Sequence, residues 1–124
     1  MEKFIDGMRR TIDLSDTCLE GLEHIRKRLN DGCIEGTIPL MVDVITAFSQ
    51  IEDFMLPILG KSLLPSNHIE SLTYSLRNAF DHAVTAYNQE QNGKALEIFQ
   101  FTLLPAFRKW KSEVDSVFHP YLLS

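Results

Sequence analysis

The stretch from Lys94 to Tyr121 limits the fold more than any other. It is the most apolar helix-length segment of the chain and holds its single tryptophan, Trp110. Leu96, Phe99, Leu103, Phe107, Trp110, Val114, Val117 and Tyr121 recur at three- and four-residue steps, so they share one face of an α-helix. Most of the stability of such a helix comes from burying that face, so other elements must cover it. Pro105 interrupts the segment and predicts a kink. His119-Pro120 predicts its end, because the residue before a proline disfavours α geometry, with Tyr121 to Leu123 folding back on the bundle.

Three further segments carry the helical period. The first is expected from Lys3 to Asn30, with Phe4, Met8, Ile12, Ser15, Leu19, Leu22, Ile25 and Leu29 inward. Asn30-Asp31-Gly32 stops it, with Gly32 in the left-handed position after the helix. The second starts near Thr37, where Thr37 reads as an N-cap and Pro39 as a first-turn proline. Pro57 should kink it or end it near Leu56, and Gly60 to Ser66 connects onward. The third opens at Asn67-x-x-Glu70, which has the shape of a capping box, and runs to about Gln91. Ala79, Ala83 and Ala86 would let another helix approach it closely. Asn92-Gly93 then reads as a tight corner. No strand pattern competes. The expectation is an all-α, antiparallel, up-down four-helix bundle occupying residues 1–124 as one domain, with its second and fourth helices bent or ended near Pro57 and Pro105.

Composition narrows the function. The chain carries 17 acidic and 12 basic side chains, a net charge of −5, which argues against a nucleic-acid backbone as partner. Its one basic cluster, Arg26-Lys27-Arg28, falls at a helix end, where cations suit the macrodipole. Cys18 and Cys33 form no Cys-x-x-Cys and are expected as reduced thiols. The N-terminal segment lacks the uninterrupted apolar run of a signal peptide, and Phe54 to Leu59 is too short to span a bilayer. A cytoplasmic protein with no membrane or nucleic-acid partner and no cofactor is the expectation.

Candidate chemistry is sparse. Glu-x-x-His, the signature of di-iron bundles, does not occur, and the four histidines are scattered, His24 on the first segment, His68 and His82 far apart on the third and His119 on the fourth. Asp13, Asp16, Glu20 and Glu23 form a row on the first helix. They resemble the Mg²⁺-holding carboxylates of all-helical nucleotide pyrophosphohydrolases, which implies a metal-dependent hydrolase as one alternative. Those enzymes use two facing helices, whereas no second segment here supplies a matching acidic pair, so a solvated charged face is the plainer reading. His24-Ile25-Arg26-Lys27 resembles the centre of histidine phosphotransfer domains, themselves four-helix bundles. The resemblance implies phosphotransfer at His24 assisted by Lys27 as a second alternative. Arg28 stands where such domains have a small residue, and Glu23 precedes the histidine. No glycine-flanked serine and no glycine-rich phosphate loop is present.

Surplus apolar surface is the stronger signal. Ile98, Phe101 and Pro105 point away from the main stripe of the fourth helix, and Leu104 sits at its border. Ala47 and Phe54 lie on one flank of the second helix, and Val42 and Leu56 on the other. A kinked helix buried on both sides would explain them; so would an interface. The expectation is a non-catalytic protein-interaction module, similar in build to small helical chaperones and adaptors, with Phe54, Ile98, Phe101 and Leu104 as its candidate interface. A second copy of the chain, as a homodimer, is the default partner.

Overall fold

The computed structural model describes residues 2–60 and 67–123. Helix α1 spans Glu2–Asn30, a 3₁₀ turn Glu35–Thr37, α2 Ile38–Gly60 and α3 Asn67–Asn88. The fourth rod is composite: α4 covers Asn92–Ile98, a π turn Phe99–Leu103, and α5 Leu104–Leu122. The chain is an all-α, antiparallel four-helix bundle. The Gly60–Ser66 connection and the Asn67 cap expected from sequence involve side chains or residues outside those described.

Paired residues give the directions. Gly7 meets Phe54 and Gly21 meets Val44, so α1 and α2 run oppositely. Asp16 pairs with Lys111 and Glu23 with Arg108, which sets α5 antiparallel to α1. Thr73 bonds Trp110 across α3 and α5. Around the bundle the order is therefore α2, α1, the composite rod, α3. α1 lies close against α2 and α5, and α3 close against α5, whereas the backbones of the neighbouring α2 and α3 do not approach as closely.

On α1 and α2 the buried positions follow a strict alternation of four- and three-residue steps. On α1 these are Met8, Thr11, Ser15, Cys18, Leu22, Ile25 and Leu29; Thr37, Met41, Val44, Phe48, Ile51, Met55 and Ile58 continue the pattern along α2. A period of 3.5 keeps one seam facing the bundle axis along the whole helix, as in coiled coils. It also explains a correction. Thr11 and Cys18 are buried, while Ile12 and Leu19 are only half-buried, because a straight 3.6-residue projection drifts off the seam.

At the centre, Phe48 packs on Phe80 at 5.1 Å between ring centroids and edge-on to Trp110 at 5.6 Å. The indole N–H of Trp110 donates to Thr73 Oγ1 at 2.9 Å, and that hydroxyl donates to the Ile69 carbonyl at 2.7 Å. The one polar atom of the largest buried side chain is thus satisfied by a threonine that is itself satisfied.

Several expected helix ends move, for local reasons. α2 carries Pro57 inside it and is still helical at Gly60, one turn beyond Leu56. α5 continues through Pro120 to Leu122, so Tyr121 and Leu122 stay helical and half-buried instead of folding back. α3 ends at Asn88, and the left-handed residue that turns the chain is Glu90 (φ 55°), not Gly93. Gln91 N–H bonds Ala86 C=O at 3.0 Å and Glu90 N–H bonds Tyr87 C=O at 3.1 Å, a Schellman motif with glutamate in the position that favours glycine. The end of α1 has the same pair of bonds, from Cys33 to Arg28 and Gly32 to Leu29, with Gly32 at φ 82° as expected.

Where Pro105 predicts a kink, the rod carries a π turn immediately before the proline. Leu104 N–H bonds the Phe99 carbonyl, five residues back. One inserted residue shifts the register of the rod, so Leu103 and Leu104, adjacent in sequence, are both fully buried.

Candidate functional site

The four residues expected to form an interface do not come together. Leu104 is 1% exposed and belongs to the core, brought inward by the π turn. Phe54 is half-buried on the α1 side of α2, its ring lying directly over Gly7. Ile98 is half-buried and lines a recess between α3 and α4 with His82, Thr85 and Lys94. Only Phe101, 75% exposed, projects into solvent. Phe54 sits level with the start of α1, whereas Phe101 sits beside the end of α3. At 1.5 Å per residue the two lie about 25 Å apart along the bundle.

The sites of the alternative readings are distributed as follows. His24 and Lys27 are exposed near the end of α1. Of the acidic row, Asp16 and Glu23 are tied to α5: Asp16 to Lys111 Nζ at 2.6 Å, Glu23 to Arg108 at 3.1 Å, while Asp13 and Glu20 remain exposed. The row therefore lies partly against a cationic edge, not wholly in solvent as the sequence suggested. Lys111 also bonds Asp115 at 2.9 Å. Burial works against the charge on Lys111, but the hydrogen bonds it donates to Asp16 and then Asp115 outweigh it and hold its pKa above the usual lysine range. Among the described residues no group of three or more His, Cys, Asp or Glu side chains is placed to hold a metal. Cys18 is buried, and burial pushes its thiol up to about 11; Cys33 is exposed.

A concave apolar surface edged by exposed large apolar side chains lies elsewhere, in the wide seam between α2 and α3. Three pairs bridge that seam: Phe48 with Phe80, Glu52 with Arg77, and Thr37 with Tyr87. Arg77 also lies over the Phe48 ring, 5.5 Å from its centroid. Between the Glu52–Arg77 pair and the Thr37–Tyr87 bond is a groove of about 230 Å³ lined by Ile38, Met41, Val42, Ile45, Val84 and Tyr87, with Asn88. Val42 is 57% and Ile38 48% exposed, large apolar side chains left open to water.

Tyr87 fixes the end of this groove. Thr37 Oγ1 donates to the Ile34 carbonyl at 2.6 Å, so the 2.6 Å contact between the two hydroxyls is a bond donated by Tyr87. Burial raises the Tyr87 pKa. Thr37 thus ties the 3₁₀ turn to α3 instead of capping α2 as expected. Beyond Tyr87 the surface opens into a second recess of about 380 Å³, lined by Ile34, Glu35, Ile38, Tyr87, Glu90 and Asn92.

Residues 6–113 match the family described as a domain of unknown function, DUF8042. The chain belongs to this family. The match runs from the first turns of α1 into the middle of α5, so it takes in the α2/α3 seam, the π turn and the Thr73–Trp110 bond. No curated protein and no solved structure matches the chain. Among the described residues no helix is long and apolar enough to cross a membrane.

The helical period places Val42 and Leu56 on an outer flank of the second helix, a partial signal of this surface. On the opposite wall, the helical period puts Tyr87 on the inward face of the third helix and does not single out Val84. Nothing in the sequence tells that α2 and α3 are the neighbours held apart.

Proposed function

We propose that this protein is a non-catalytic, cytoplasmic protein-interaction module that binds its partner in the α2/α3 groove. The observation that carries the reading is the pairing of Ile38 and Val42, about half exposed, with the facing wall of Val84 and Tyr87. Exposed apolar side chains scattered singly need no explanation, but a set sharing one concavity is where helices and peptides dock. The groove is held open by polar bonds at both ends, Glu52–Arg77 and Tyr87–Thr37, so it is preformed and binding does not have to order it. The reading includes self-association and names neither nucleic acid nor membrane as partner.

The test is the size of the native complex. In extract of its source cells the wild-type protein elutes well above the mass of one chain, and Val42→Lys elutes as a folded monomer with unchanged circular dichroism. Elution of both at monomer mass sinks the reading.

A further inference from the structure

The groove and the recess beyond it share Ile38 and Tyr87, so they form one continuous surface. Its two parts differ in chemistry. The part between Val42, Ile45 and Val84 is apolar. The part at the bundle end presents the carboxylates of Glu35 and Glu90. Among the described residues neither carboxylate makes an ion pair, whereas Glu23 and Glu52 are both paired with arginines. Arg28 reaches towards the same turn, 3.5 Å from where a Cβ on Gly36 would stand, without closing an ion pair to Glu35.

Length selects the occupant. From Ile38 to Ile45 the groove follows seven residues of α2, about 10 Å at 1.5 Å per residue, and the Glu52–Arg77 pair blocks it beyond. That admits about two turns of a helix laid along the seam, presenting two or three apolar side chains at i, i+4 and i+7. The carboxylates then face the next turn of that helix, where a lysine or arginine is favoured and an acidic residue is repelled.

We infer that the α2/α3 surface takes a short amphipathic helix of a different protein, with an apolar stripe seated on Val42, Ile45 and Val84 and a basic end over Glu35 and Glu90. This deepens the proposed function and rests on it.

The probe is a fluorescein-labelled amphipathic peptide of about four helical turns, with leucines at the i, i+4, i+7 spacing and two lysines at one end. A second peptide carries glutamates in place of the lysines. By fluorescence anisotropy at low salt, the lysine peptide binds the wild-type protein at least about ten-fold tighter than the glutamate peptide. Glu35→Gln with Glu90→Gln reduces that preference to about two-fold, and Val42→Lys weakens both peptides. Equal binding of the two peptides, or a preference unchanged by the glutamine variant, overturns the inference. So does wild-type protein that is a dimer by light scattering, becomes monomeric as Val42→Lys, and is dissociated by neither peptide: the occupant is then a second copy. Absence of peptide binding likewise overturns it. If Val42→Lys still dissolves the native complex in that case, the interaction reading survives without the basic helix; if it does not, both fall.

Discussion

Glycine in the middle of α1 is costly, and at Gly7 the cost has a visible cause. A Cβ there would lie 2.6 Å from Phe54 Cδ1 and closer still to Cε1 and Cζ, well inside the 3.5–4.0 Å of carbon contact. Alanine can be accepted only if the Phe54 ring swings off α1. Overpacking of this kind costs typically 1–3 kcal/mol. Phe54 is only half-buried, so a cost near the middle of that range, about 2 kcal/mol, is expected. Against it stands the helix propensity of alanine over glycine, about 1 kcal/mol. Gly7→Ala alone is therefore destabilising by about 1 kcal/mol. In a Phe54→Ala background the obstacle is gone and the propensity gain remains, so the same substitution stabilises by about 1 kcal/mol. The coupling of about 2 kcal/mol lies within the range for residues in contact. Urea unfolding, followed by Trp110 fluorescence and by circular dichroism, reads each step as a midpoint shift of roughly 0.5–1 M. If Gly7→Ala stabilises both backgrounds equally, Phe54 does not rest on Gly7, and the α1/α2 packing described above is wrong.

Other expectations follow from single features. Glu90→Gly relieves a left-handed residue in the Schellman turn and stabilises by about 0.5–1 kcal/mol in the same urea assay. Phe101→Glu leaves stability within about 0.5 kcal/mol, whereas Leu104→Glu places a carboxylate in the core and prevents folding, as circular dichroism would show. In native protein Cys33 reacts with a thiol reagent at once and Cys18 only on unfolding. Cys18 and Lys111 both have folded pKa values raised above their unfolded ones. Their contributions are fully present below the unfolded values and are lost as pH rises through the folded ones. Stability measured by urea unfolding should therefore fall between about pH 9 and 11, and Cys18→Ala should flatten the early part of that fall.

How much of this was legible in the sequence depended on whether the determinant was local. The helical period, the stop at Gly32 and the absence of strands are written in consecutive residues, and the bundle follows from them. The π turn is not: Pro105 announced a disturbance, but only the bond from Leu104 back to Phe99 tells that one residue is inserted. That insertion moved Leu104 from an expected interface into the core. The wheel projection erred at Thr11, which is buried, and at Ile12 and Leu19, which are only half-buried, because bundle packing selects 3.5 over 3.6 residues per turn. Arg108 and Lys111 met the acidic row of α1 because α5 is its neighbour, a fact of assembly that no single segment contains. Gly7 and Gly21 were silent for the same reason, since their meaning lies in the Phe54 and Val44 side chains opposite them.

The claim on which the functional account turns is that binding uses the α2/α3 seam and not the Phe101 surface. A photo-crosslinking amino acid placed at position 42, and in a second protein at position 101, tests it in extract of the source cells. The account predicts a discrete adduct of one defined mass from position 42 and none from position 101. An adduct from position 101 alone, or no adduct from either, would contradict it.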